Sequence, residues 1–146
     1  MAPKTSISAR ANATWGQDRD HHYVEKPPLP SRIMVEISNG CNHACVFCAN
    51  PLMTRKIGRI DPILMDKIMN EARVGGCEEI GFYTTGEPLV HKQLDAFVAR
   101  ASQLGFSYIY ISTNGALATP ERMRRLVDAG LHSVKFSINA GSRETY

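Results

Sequence analysis

Three observations predict an α/β protein built on a parallel sheet. Short apolar segments rich in β-branched and aromatic residues recur at residues 32–38, 79–83, 108–111 and 134–138. Stretches with helical spacing of apolar residues separate them, and each strand-like segment runs into a polar stretch ahead of the next helix. Strands that alternate with helices pair in parallel through right-handed crossovers. The expected architecture is therefore a partial (β/α) TIM-like barrel. With four strands readable where a closed barrel has about eight, it is expected to be truncated after about four strands.

Residues 1–30 show no period of two or of 3.6 and close on Lys26-Pro27-Pro28-Leu29-Pro30, which predicts a flexible N-terminal tail or a strap over the domain. Lys4 and Arg10 without an early acid faintly resemble a transit peptide, but Asp18, Asp20 and Glu25 follow. His21-His22 reads as a surface pair. The domain itself is expected over residues 31–146. Its first strand, 32–38, is short and mostly apolar, as a buried parallel strand is. Asp61-Pro62 predicts a helix start, since Asp accepts from free amides and Pro suits the first helical position. That helix carries Leu64, Ile68 and Ala72 on one face, with Met65 and Met69 beside it, and stops at Gly75-Gly76. After the second strand, Leu94, Phe97, Val98, Ala101 and Leu104 define an amphipathic helix over 92–104 that ends at Gly105. Thr119-Pro120 opens a third helix, with Met123, Leu126 and Val127 expected inward and Gly130 as its stop. Residues 142–146 read as the opening of a fourth.

With 146 residues, of which 43% are hydrophobic, the chain has room for one ordinary domain with a real core. Lys and Arg number 17 against 14 Asp and Glu, a formal charge of +3. That balance argues against nucleic-acid or membrane binding through bulk charge. No apolar run is long enough to cross a bilayer, and the N-terminus lacks the apolar core of a secretory signal. A cytoplasmic location is expected.

Chemistry concentrates in Cys41-Asn42-His43-Ala44-Cys45-Val46-Phe47-Cys48, three cysteines separated by three residues and then two. Thiolates this close can each ligate one iron of a cubane cluster, which is ordinarily held by four cysteines. One iron is then left where a small molecule bearing an amine and a carboxylate could chelate. A zinc site with His43 as fourth ligand is the other reading of the same loop. The fourth cysteine, Cys77, reads as a small buried residue. In a parallel sheet the segments after each strand share one edge, so 41–48, 85–87, 112–114 and 137–139 should converge on one site. Arg55, Lys56 and Arg59 are solvated loop residues or candidates to hold an anion.

With the cysteine loop and these strand-end segments together, residues 31–146 resemble the radical S-adenosylmethionine (SAM) superfamily. Its hallmark is three cysteines at this spacing after the first strand of a partial β/α barrel. Thr85-Gly86-Glu87-Pro88 is similar to the family's Gly-Gly-Glu-Pro segment, with Thr in place of the first Gly. The resemblance implies that Cys41, Cys45 and Cys48 hold a [4Fe-4S] cluster and that the methionine amine and carboxylate of SAM chelate its fourth iron. It also implies that Glu87 accepts from the SAM amine, Gly86 lets the backbone approach the ligand, and Phe47 lies next to the adenine. Ser112, Asn114, Ser137 and Asn139 would contact ribose and carboxylate. The implied activity is reductive cleavage of SAM to a 5′-deoxyadenosyl radical that abstracts hydrogen from a substrate, among peptides, cofactors or sugars. No further catalytic residue is assigned. A low-potential donor such as flavodoxin or ferredoxin would supply the electron, and a second chain could complete the barrel. The contrasting reading is a non-catalytic iron–sulfur or zinc-binding fragment, or one half of a split enzyme.

Overall fold

The computed structural model describes residues 29–144. The predicted tail up to residue 28, His21-His22 included, and the last two residues of the expected fourth helix lie outside that range. Its order is β1 (Arg32–Met34), α1 (Pro62–Val74), β2 (Glu79–Gly81), α2 (Leu94–Gln103), β3 (Tyr108–Thr113), α3 (Pro120–Asp128) and β4 (Ser133–Phe136), with short 3-10 turns at Asn50–Leu52 and Pro88–Val90. The four strands pair in chain order, every pair parallel. This is the sheet that the strand–helix alternation predicts, one arc of a barrel.

The helices begin and end where their caps say they should. The Asp61 side chain accepts from the Ile63 and Leu64 amides at 2.9 and 3.1 Å, and Thr119 Oγ1 accepts from Arg122 N at 3.2 Å. The expected stops, Gly76, Gly105 and Gly130, have φ of +92°, +79° and +105°, the left-handed turn that ends a helix. Residues 142–144 form a bend and a turn with no helix.

Register separates the two faces of the sheet. Ile33, Ile80 and Ile109 align across three strands, as do Ile111 and Val134 across the last two. All pack with the helices in one core that includes Phe82, Leu94, Phe97, Val98 and Leu126. On the opposite face stand Arg32, Glu79 and Tyr108, then Tyr110 and Ser133, then Ser112 and Lys135. That inner face is polar and aromatic, with Arg32 Nε 3.6 Å from Glu79 and the Tyr108 and Tyr110 rings 5.5 Å apart. Burial pushes the Tyr110 phenol up to about 12.

Two helix faces differ from expectation. In α1 the buried residues are Met65, Met69 and Ala72, and Leu64 is 49% exposed. In α3 Leu126 is buried while Val127 is 60% exposed. Apolar residues flank the stripe of both helices, so spacing alone does not fix which side meets the sheet. In α1 the buried stripe is led by Met65 and Met69, whose unbranched side chains adapt readily to irregular packing.

The long connection from β1 to α1, which carries the cysteines, is tied down at both ends. Arg55 forms a bidentate pair with Glu36 at 2.7 and 3.1 Å, and Thr84 Oγ1 donates to the same carboxylate at 3.1 Å. Asn39 Nδ2 donates to the Lys56 carbonyl at 2.9 Å and Asn39 Oδ1 accepts from Gly58 N at 2.7 Å. Among the described residues no helix is long and apolar enough to cross a membrane.

Two outcomes follow for stability. Met69→Ala should cost about 2–5 kcal/mol by urea denaturation, and Leu64→Ala no more than about 1 kcal/mol, because only the first opens a core cavity. The Arg55 guanidinium holds the Glu36 carboxyl down to about 2 from its ordinary 4.5. A depressed carboxyl contributes stability that is complete above the unfolded value and lost as pH falls through the folded one. Acid denaturation should therefore show Glu36→Gln losing less stability than wild type between pH 4.5 and about 2.

Candidate metal and cofactor site

Parallel strands deliver their following loops to the same edge, and there the loops enclose a cavity of about 590 Å³. Cys41, Cys45, Cys48, Phe47, Thr85, Glu87, Asn114, Ser137 and Asn139 all line it, together with His43. These residues come from four separate strand ends. Ser112 stands one step back, its hydroxyl 3.1 Å from that of Ser137.

All three loop cysteines are free thiols of intermediate exposure. Cys48 N donates to the Cys45 carbonyl at 3.0 Å, closing a turn between the last two cysteines. Two sulfurs already accept backbone N–H groups: Cys41 Sγ from His43 N and Cys48 Sγ from Asn50 N, each at 3.4 Å. Backbone donors on sulfur suit thiolates that carry ligand charge, and three such sulfurs on one cavity are the soft donor set that iron–sulfur clusters take. The residues present thus fit a cluster. Among the described residues no three His, Cys, Asp or Glu side chains, the loop cysteines included, are already gathered around one point, so the fit rests on the type and shared cavity of the sulfur donors. Phe47 is 67% exposed at the cavity's rim.

Glu87 is 3% exposed and does more than enter a helix. Its Oε1 accepts from Leu89 N at 2.9 Å, capping the 3-10 turn, and from Thr113 Oγ1 at 2.7 Å. Its Oε2 accepts from Asn114 N at 2.8 Å. One carboxylate therefore joins the end of β3 to the segment after β2. Gly86 next to it is required by packing of the backbone. A Cβ there would lie 2.1 Å from the Ser38 carbonyl oxygen and 2.7 Å from that of Gly40, so the backbones after β1 and β2 touch at this point. Glu87 N donates to the Gly40 carbonyl at 2.9 Å, the bond that this close approach permits.

Asn50 was not singled out by sequence. Its Nδ2 donates to the carbonyls of Asn39 at 2.8 Å and Thr85 at 3.2 Å, linking the cysteine loop to the Thr85-Gly86 segment. No spacing rule flags an Asn that acts across 35 residues. Arg55 is paired with Glu36. Cys77 is buried ahead of β2 at the amino end of the sheet, opposite the cavity, with its thiol donating to the Pro30 carbonyl at 2.7 Å. Burial pushes that thiol up.

Comparison with known proteins gives a consistent account. S-adenosyl-L-methionine-dependent 2-deoxy-scyllo-inosamine dehydrogenase from Niallia circulans is 31% identical over 121 residues, covering 81% of this chain and 48% of the relative. A crystal structure of BtrN in complex with AdoMet and 2-DOIA superposes with a TM-score of 0.70 at 32% identity, over 77% of this chain and 47% of that one. A crystal structure of SeMet BtrN in an open conformation gives 0.70 at 30% identity, over 82% and 54%. The chain thus spans about half the length of the relatives it matches. Residues 35–146, from β1's exit through the cysteine loop and every later strand end, match the Radical SAM superfamily, and the chain belongs to that superfamily of enzymes.

Proposed function

We propose that residues 31–146 are a radical SAM core in which Cys41, Cys45 and Cys48 hold a [4Fe-4S] cluster and SAM binds in the same cavity. The observation that carries this reading is the meeting of those cysteines with Glu87, Asn114, Ser137 and Asn139 around one cavity of about 590 Å³. When bound, cluster and SAM would together supply a one-electron cleavage to methionine and a 5′-deoxyadenosyl radical, a strong hydrogen abstractor. The chain's own residues bind and orient. The three donors that Glu87 accepts from are neutral, so an incoming ammonium would bring the opposite charge to a buried carboxylate with room for about one more bond. Thr85 and the Ser112–Ser137 hydroxyl pair offer neutral hydrogen bonds to ribose and carboxylate oxygens, and Phe47 offers a ring face at the rim.

The substrate reading is a polar molecule oxidised at an alcohol carbon. It is supported by the 31% identical relative named as a dehydrogenase and by the polar inner strand face, where Ser112 and Lys135 stand side by side. A low-potential flavodoxin or ferredoxin would supply the electron in a cytoplasmic setting, and the tail at 1–30 is taken as separate from the core.

Anaerobic reconstitution with iron and sulfide tests the reading. Iron and sulfide near four each per chain are expected on the cubane stoichiometry, with a visible absorbance altered by SAM and 5′-deoxyadenosine formed on reduction. Cys45→Ala should abolish all three. One equivalent of zinc without iron would overturn the assignment. Glu87→Gln turns one acceptor into a donor facing either the Asn114 N–H or the Leu89 N–H, neither of which can accept. Urea denaturation of the metal-free chain should show a loss of about 1–3 kcal/mol.

A further inference from the structure

Asn114 is held through its backbone and through both ends of its side-chain amide. Its backbone N–H donates to Glu87 Oε2 at 2.8 Å, and its Oδ1 accepts from Ala116 N at 3.0 Å. Ala116 N can only donate, so the oxygen must face it and the amide's orientation is fixed chemically. The NH₂ group is thereby turned toward the cysteine loop. There Nδ2 donates to Asn42 Oδ1 at 2.9 Å and makes a longer, weaker contact with Cys41 Sγ at 3.9 Å, against 3.4 Å for the backbone N–H of His43 on the same sulfur. Asn42 directly follows Cys41, so the two contacts grip the loop on the sulfur and beside it.

From this geometry we infer that Asn114 is a positioning residue whose amide donates to the Cys41 thiolate and raises the reduction potential of the cluster. The inference rests on the cluster reading proposed above. A cluster that gains an electron becomes more negative, mostly on its sulfurs, and an N–H dipole fixed beside one of them stabilises the reduced form. Anchoring through Glu87 matters because a dipole that need not reorient favours that form at no reorganisation cost. The role differs from contact with the SAM ribose or carboxylate, since the amide hydrogens meet Asn42 and Cys41.

The test is the ratio of reduced to oxidised cluster at one fixed poise, read by electron paramagnetic resonance without SAM, in reconstituted wild type, Asn114→Ser, Asn114→Ala and Ser112→Ala. Serine keeps a hydroxyl able to accept from Ala116 N but is too short to reach Cys41. Asn114→Ser and Asn114→Ala are expected to keep their iron and to lower the ratio about threefold, toward the low end of what one hydrogen bond contributes, as suits a long contact, while Ser112→Ala leaves it unchanged. An unchanged ratio in either Asn114 variant with full iron would overturn the inference, as would an equal shift in Ser112→Ala. Loss of iron from both Asn114 variants would also overturn it, by making the residue a loop-folding element only. A wild-type chain that takes up no iron would sink the cluster reading and this inference together, whereas variants that match an iron-loaded wild type would sink this inference alone.

Discussion

A buried carboxylate holds the carboxyl edge of this sheet together. Glu87 gives up nearly all its contact with water, a cost of several kcal/mol for an ion that finds no partners, and recovers it through three short hydrogen bonds from Leu89 N, Thr113 Oγ1 and Asn114 N. Two of those donors sit on the far side of a strand pairing. Any slip of β3 against β2 would strand the charge, so the register and the site depend on the same atoms. The backbone of Glu87 extends the tie to β1 through its N–H on the Gly40 carbonyl. Three strand ends are thus fixed by one residue, and the cavity inherits its shape from that arrangement.

Much of this was legible in the sequence, and the part that was not has a common physical character. Local chemistry was readable: Asp61 and Thr119 as caps, Gly76, Gly105 and Gly130 as stops, and the spacing of Leu94, Phe97, Val98 and Ala101 all act within a turn or two. The convergence of 41–48, 85–87, 112–114 and 137–139 was also readable, since it follows from strand–helix alternation alone. Pairings between distant polar residues were not. Arg55 could have faced solvent, a ligand or Glu36, and only the path of the chain decides for Glu36. Asn50 carries no mark of its reach to Thr85. Gly86 carries no mark of its close contact with the backbone of Ser38–Gly40.

β1 shows how tertiary context trims a reading based on composition. The apolar run from 32 to 38 predicts a full strand, yet the ladder ends at Met34. Beyond it Val35 N still donates to the Gly81 carbonyl at 2.8 Å, while Ile60 N donates to the Ile37 carbonyl at 2.9 Å and Ser38 pairs with Arg59 in an antiparallel bridge. Residues 36–38 therefore leave the sheet in order to bond the returning end of their own loop. What looks like three lost strand residues is the clasp that closes the cysteine segment.

That clasp divides the loop into a fixed frame and an exposed interior. Its ends are bonded at Glu36, Ser38 and Asn39 on one side and at Arg55, Lys56, Gly58 and Arg59 on the other. Between the second and third cysteines, Val46 is fully exposed and Phe47 largely so. Apolar side chains left in water contribute little to holding a segment in place. The order of that middle section rests on the turn between Cys45 and Cys48, the backbone donors to sulfur and the Asn114 contacts with Asn42 and Cys41. Ligation by three cysteines would add bonds at the points where protein packing is thinnest, so metal binding, as proposed, would be coupled to local folding of this segment. The frame supplied by Glu87, Glu36 and Asn39 would keep that coupling local, because the sheet edge is already fixed by bonds that involve no cysteine.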